Sequence, residues 1–102
     1  MQRGEVWWAE LPPIGRRPVL LLSRDEAYAV RTAVTVAEVT STIRGIPVEV
    51  PLGPDDGLSR PCVTNLDTIL TIRKETLVER ICLLRAEKMH RVNAAIRFAL
   101  SP

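Results

Sequence analysis

Only one stretch of this chain has a pattern long enough for a substantial helix, and it lies at the C-terminal end. Between residues 85 and 100, apolar side chains recur every three or four positions, at Ala86, Met89, Val92, Ile96 and Leu100. The preceding residues form short runs rich in β-branched side chains, separated by proline and glycine. This order predicts a mainly β fold, a small barrel with the terminal helix packed against it.

Six runs before the helix have the composition of strands, at residues 5–10, 17–23, 32–42, 47–51, 62–72 and 80–84. The alternating run 47–51 is predicted to be an edge strand, and 62–72 to break into two strands near Asn65 or Asp67. Ser23 and Glu26 have the spacing of a capping box and predict a short helix through Val30. Residues 73–77 predict one helical turn, and Asp55 with Asp56 a solvated turn.

The length of 102 residues is typical of one domain, so we treat residues 1–102 as a single domain. No segment approaches the roughly 20 apolar residues of a membrane span, and the N-terminal residues lack the apolar segment of a secretion signal. We therefore expect a cytoplasmic protein that does not enter a membrane.

The residues of the common hydrolases are missing or badly placed. Cys62 and Cys82 lie in apolar runs without CxxC spacing, which predicts buried free thiols rather than a zinc or redox site. His90 is the one histidine, it lies in the predicted helix, and we assign it no function. Without clustered carboxylates and histidines, neither a metal site nor a cofactor is expected.

Twelve of the 14 basic residues are arginines, whose planar guanidinium suits phosphate recognition. The arginine bias is also what a GC-rich genome would produce, so alone it favours a nucleic-acid partner only slightly. An enzyme without the usual catalysts needs a substrate that brings its own nucleophile, and RNA does so through its ribose 2′-hydroxyl. Arginine can then stabilise the charge on the reacting phosphate, and a hydroxyl can hold one of its oxygens.

The order of several segments resembles the MazF/PemK family of endoribonuclease toxins from type II toxin–antitoxin systems. Arg17-Pro18 opens a buried strand as in the second strand of that family, and residues 3–11 are similar to its first strand. Residues 36–41 resemble the strand that leads to the family's active-site threonine, and residues 58–63 a later strand. The resemblance continues through residues 69–72 and 84–100, and it implies a CcdB/PemK-like barrel related to SH3 barrels.

This resemblance implies that Arg17 and Thr40 are catalytic. Arg17 would stabilise transition-state charge and is also a candidate for proton transfer, and Thr40 would bind the scissile phosphate through its hydroxyl. Arg16 and Ser41 are expected to contact RNA, because they adjoin the two catalytic positions. Trp7 and Trp8 should point to opposite faces of their strand, and we select Trp8 as a candidate for base stacking.

The family also implies a reaction and its partners. Single-stranded RNA, with mRNA as the main substrate and rRNA or tRNA as further candidates, would be cleaved sequence-specifically and without metal, giving a 2′,3′-cyclic phosphate and a 5′-hydroxyl. The chain would act as a homodimer and be neutralised by a cognate antitoxin with an acidic, flexible tail. Two alternatives remain open: a CcdB-like poison of DNA gyrase without ribonuclease activity, and an RNA-binding barrel without catalysis.

Overall fold

The computed structural model describes residues 1–101, which form six strands and two α-helices. The strands are β1 (Glu5–Leu11), β2 (Gly15–Leu21), β3 (Ala33–Thr40), β4 (Glu49–Leu52), β5 (Cys62–Arg73) and β6 (Leu77–Leu83). The helices are α1 (Ala27–Val30) and α2 (Ala86–Leu100), and short 3-10 turns lie at Pro54–Asp56 and Lys74–Thr76. The second of these turns confirms the helical turn predicted for residues 73–77.

All six strands belong to one antiparallel sheet with the order β4-β5-β3-β2-β1-β6. The sheet curls into a half-barrel, and α2 packs against β4 and β5. The predicted mainly β fold with a C-terminal helix is thus confirmed. β4 lies at an edge of the sheet, as its alternating sequence predicts. No helix within residues 1–101 is both long and apolar enough to cross a membrane.

The sheet is covered on both faces by apolar side chains. One cluster joins Leu20 and Leu66 to Val92 of α2, and all three are fully buried. The other cluster includes Leu21 and Tyr28, which belongs to α1. β2 contributes neighbouring residues to both clusters, so its apolar run is buried on two faces as predicted. Burying each such leucine stabilises the fold by about 1.5–3 kcal/mol.

The predicted capping box at Ser23 is wrong. α1 begins only at Ala27, and no side chain caps it. The Ser23 hydroxyl instead accepts a hydrogen bond from the backbone N–H of Thr35 at 2.8 Å. A serine hydroxyl satisfies whichever backbone donor lies nearest, and here that donor belongs to β3 because Leu22 still bonds to Thr35 through its backbone.

The predicted break in the strand at residues 62–72 is also wrong, because β5 is continuous. The pairing of Ala37 with Ile69 is followed by that of Glu38 with Asn65, so residues 66–68 have no opposite partners on β3. The polar residues near Asp67 therefore mark a bulge, which bends the strand without ending it.

The helix and the loop before β5 require two corrections. Leu100 and Ala86 are exposed, because at about 100° per residue they lie roughly 80° and 120° around α2 from the buried Val92. Ala95 is buried in that face instead. Asp56 is not a solvated turn residue: its side chain is 14% exposed, lies 3.5 Å from Lys88 Nζ and accepts the Gly53 N–H at 3.0 Å.

Candidate active site

A groove of about 880 Å³ opens where β2 begins and β3 ends. All five residues that the sequence analysis selects line it: Trp8, Arg16, Arg17, Thr40 and Ser41. The other lining residues are Pro18, Glu38, Val39, Gly57, Leu58, Ser59, Arg60, Cys62 and Ile81. Residues distant in the sequence thus meet at one place because the antiparallel strands end there.

The register of β2 and β3 explains how Arg17 and Thr40 meet. Val19 pairs with Glu38, and extending the same register by two residues brings Arg17 level with Thr40. Residues that lie opposite one another in an antiparallel pair share a face of the sheet. The paired segment stops at Val19, next to Pro18, whose nitrogen carries no hydrogen. The Arg17 side chain is therefore exposed in the groove, while Thr40 is half-buried.

The hydroxyl of Thr40 is held by a local turn. Its Oγ1 accepts a hydrogen bond from the backbone N–H of Thr42 at 3.1 Å. A hydroxyl can donate one hydrogen bond while accepting another. The Thr40 proton is therefore available to a phosphate oxygen in the groove.

Arg16 is held between two partners on neighbouring strands. Its guanidinium carbon lies 5.3 Å from the ring centroid of Trp8, and its Nη2 lies 2.7 Å from Glu79 Oε1. Trp7 lies on the face of β1 opposite to Trp8 and packs against the cluster around Leu21. Its indole N–H donates a hydrogen bond to Glu5 at 3.0 Å. The predicted division of the two tryptophans is confirmed, although both are half-buried.

Three polar residues of the groove are missing from the sequence-based site. Glu38 lies two residues before Thr40 in β3, so strand alternation alone would have placed both on one face. Ser59 and Arg60 come from the loop before β5. That loop runs close to β6: a Cβ added at Gly57 would lie 2.7 Å from Cys82 Cβ. Packing of the loop on β6, which has no sequence signature, carries Arg60 into the groove.

The cysteines and the histidine have no catalytic partners. Cys62 and Cys82 are free, as predicted, but only Cys62 is buried, whereas Cys82 is half-buried. Burial raises the pKa of both thiols. His90 is exposed on α2, away from the groove. Among residues 1–101, no three side chains of the metal-binding types cluster together.

A half-barrel with one terminal helix and an arginine- and hydroxyl-lined groove matches a known class of small bacterial toxins. The chain belongs to the family of PemK-like, MazF-like toxins of type II toxin–antitoxin systems, whose pattern matches residues 2–100. Its fold is therefore of the predicted CcdB/PemK-like type.

Similar proteins span almost the whole chain. It is 41% identical over 99 residues to the probable endoribonuclease MazF5 of Mycobacterium tuberculosis, covering 96% of this chain and 91% of that protein. The structure of the M. tuberculosis toxin MazF-mt6 superposes with a TM-score of 0.89 at 35% identity, covering 95% and 96% of the two chains. A mycobacterial endoribonuclease in complex with its cognate antitoxin gives a TM-score of 0.88 at 30% identity, covering 99% and 95%.

Proposed function

We propose that this protein is an endoribonuclease toxin that cleaves single-stranded RNA through attack of the ribose 2′-hydroxyl on the adjacent phosphate. The observation that carries the proposal is the meeting of Arg17 and Thr40 in one groove, in a chain whose relatives are named endoribonucleases. The products would be a 2′,3′-cyclic phosphate and a 5′-hydroxyl. Water is not the nucleophile, so no residue is needed to activate it.

The two central residues have complementary roles. Arg17 donates hydrogen bonds to the non-bridging oxygens of the phosphate as negative charge builds on them. The Thr40 hydroxyl donates a hydrogen bond to an oxygen of the same phosphate and thereby fixes the position of that phosphate. Because both act on the charge of the transition state, they raise the rate more than they raise the affinity.

The other groove residues bind the RNA on either side of the reacting phosphate. Arg16 and Arg60 neutralise backbone phosphates, and Ser41 contributes a hydroxyl. The Arg16 guanidinium lies over the Trp8 ring, and the part of that half-buried ring that stays exposed can stack with a base.

The proposal includes the partners and the location of the protein. A homodimer in the cytoplasm would be neutralised by a cognate antitoxin whose acidic tail enters the arginine-lined groove. The similar mycobacterial structure, which is described as a complex with a cognate antitoxin, supports such a partner. Charge complementarity supports the acidic tail, because three arginines line the groove.

The CcdB-like alternative is not favoured, since the matching family and the named relatives are MazF-like endoribonucleases. One experiment separates all three alternatives. The purified protein is incubated in EDTA with an unstructured RNA and with DNA of the same sequence, the product ends are analysed, and RNA binding and inhibition of DNA gyrase are measured on the same preparation. We expect cut RNA with cyclic phosphate ends and intact DNA. Intact RNA with inhibited gyrase would establish the CcdB-like poison, and RNA bound but uncut would establish a binding barrel.

A further inference from the structure

Glu38 is the one carboxylate among the residues that line the groove. It is half-buried, and no salt bridge within residues 1–101 involves it. An unpaired carboxylate repels phosphate, so in a groove that binds RNA its charge lowers the affinity. Its position therefore calls for a chemical role.

The sheet places Glu38 beside the two proposed catalytic residues. Glu38 and Thr40 share a face of β3, because side chains alternate along a strand. Glu38 pairs with Val19, which makes Arg17 its diagonal neighbour on β2. A phosphate held by Arg17 and Thr40 would therefore have its ribose within reach of a side chain as long as glutamate.

Attack by a 2′-hydroxyl requires a group that removes its proton. The guanidinium groups of the groove are hydrogen-bond donors without an acceptor site, so they cannot take it. Burial raises the pKa of the Cys62 thiol, which disfavours the thiolate that could accept the proton. Thr40, Ser41 and Ser59 offer only hydroxyls, which are weak bases, whereas Glu38 offers a carboxylate, a common general base. By elimination, Glu38 is the proton acceptor that the groove offers.

We propose that Glu38 is the general base of the reaction, an inference that rests on the proposed ribonuclease function. Its carboxylate takes the 2′-hydroxyl proton as the O2′–P bond forms and the P–O5′ bond breaks. The electron pair of the broken bond stays on O5′, which takes a proton from water. Glu38 then loses its proton to the hydroxide left behind, so the carboxylate is regenerated and no water is consumed overall.

The test is the pH dependence of kcat/KM for RNA cleavage by the wild type, Glu38→Gln and Glu38→Asp. Glu26→Gln is the matched control, because Glu26 is an exposed glutamate outside the groove. The other charged or thiol groups that line the groove with Glu38 are Arg16 and Arg17 of β2, Arg60 of the loop and Cys62 of β5. Glu79, a carboxylate that pairs with Arg16, lies outside the lining of the groove, so a bend in acid is assigned to Glu38 only where Glu38→Gln removes it.

We expect wild type and Glu26→Gln to lose activity in acid with the same bend. Glu38→Gln should be slower by about 10²- to 10⁴-fold at pH 7 and should lack the bend. Glu38→Gln should still bind RNA. Glu38→Asp should cleave RNA more slowly than wild type and keep the bend in its pH profile. A Glu38→Gln protein with the wild-type rate and bend, or with only a changed choice of cleavage sequence, would overturn this inference and leave the ribonuclease function standing. A wild type that leaves RNA intact would instead refute the ribonuclease function itself.

Discussion

Arg17 and Thr40 line the same groove from neighbouring antiparallel strands, and the register that pairs Val19 with Glu38 brings them level with each other. The guanidinium and the hydroxyl can therefore reach one phosphate group together. This relationship links the fold to the proposed chemistry, because it follows from the pairing of β2 with β3 and does not depend on the conformation of a loop.

Replacing Thr40 by valine should slow RNA cleavage, and its effect on folding should be limited to the loss of the exposed hydrogen bond from the Thr42 N–H. Valine keeps the shape of threonine but cannot donate a hydrogen bond, and one such bond to a charged group contributes about 1.5–3 kcal/mol. We expect single-turnover rates to fall about 10- to 100-fold, and Thr40→Ser to retain most of the activity. An unchanged rate in the valine variant would show that this hydroxyl does not contact the reacting phosphate.

Arg16 should contribute to binding and leave the chemical step almost unchanged. Arg16→Ala removes one phosphate contact. A plot of the logarithm of the association constant for single-stranded RNA against the logarithm of the salt concentration should therefore become shallower by about 0.7 in slope. The ion pair of Arg16 with Glu79 is largely exposed, so its loss should cost less than about 1 kcal/mol of stability. A salt titration of RNA affinity measures this effect, and an unchanged slope would place Arg16 outside the RNA path.

Glu5 should make folding stability depend on pH. Burial alone would raise its pKa, but hydrogen bonds from Trp7, the Gln2 backbone and Arg80 lower the pKa below its ordinary value. Its stabilising contribution is therefore complete above the unfolded-state pKa, about 4.3, and is lost as the pH falls through the folded value.

Glu5→Gln should reduce the free energy of unfolding by about 1–3 kcal/mol at pH 7, because it weakens buried hydrogen bonds. The difference from wild type should shrink at pH 3, as urea titrations at the two pH values would reveal. Glu26→Gln, an exposed change, should show no such dependence. An equal loss for Glu5→Gln at both pH values would contradict the ionised hydrogen-bonded carboxylate.

Gly57 should tolerate alanine less well than Gly15 does. The two glycines have φ values of 104° and 102°, so the backbone strain of the substitution should be similar. Only at Gly57 would the new Cβ meet another atom closely, namely Cys82 Cβ at 2.7 Å. We expect Gly57→Ala to cost about 1–3 kcal/mol more than Gly15→Ala in thermal or urea unfolding. Equal losses would mean that the loop moves freely away from β6.

Much of the fold follows from local patterns in the sequence. The six strands and the terminal helix are found where β-branched runs and helical periodicity predict them, because burial of one face dominates each element. The errors fall where polar side chains choose between partners. The Ser23 hydroxyl accepts a hydrogen bond from β3 instead of capping α1. Asp56 accepts a hydrogen bond from Gly53 and forms an ion pair with Lys88 instead of facing solvent. Such choices depend on neighbours that come from elsewhere in the chain.

The site could be predicted only in part. Family resemblance leads to Arg17 and Thr40, and their meeting in one groove agrees with that resemblance. Glu38 was missed although it shares a strand with Thr40, because one glutamate in a strand resembles an ordinary surface residue. Arg60 could not be found from local sequence, since its position depends on how the loop at Gly57 packs on β6.

The most direct test of the account is the cleavage rate of Arg17→Ala on unstructured RNA in EDTA. Arg97→Ala serves as the control, because Arg97 is an exposed arginine on α2 outside the groove. We predict that Arg17→Ala folds normally and cleaves about two to three orders of magnitude more slowly, while Arg97→Ala matches wild type. Equal cleavage by Arg17→Ala and wild type would contradict the account, because the charge of the transition state would then be stabilised elsewhere.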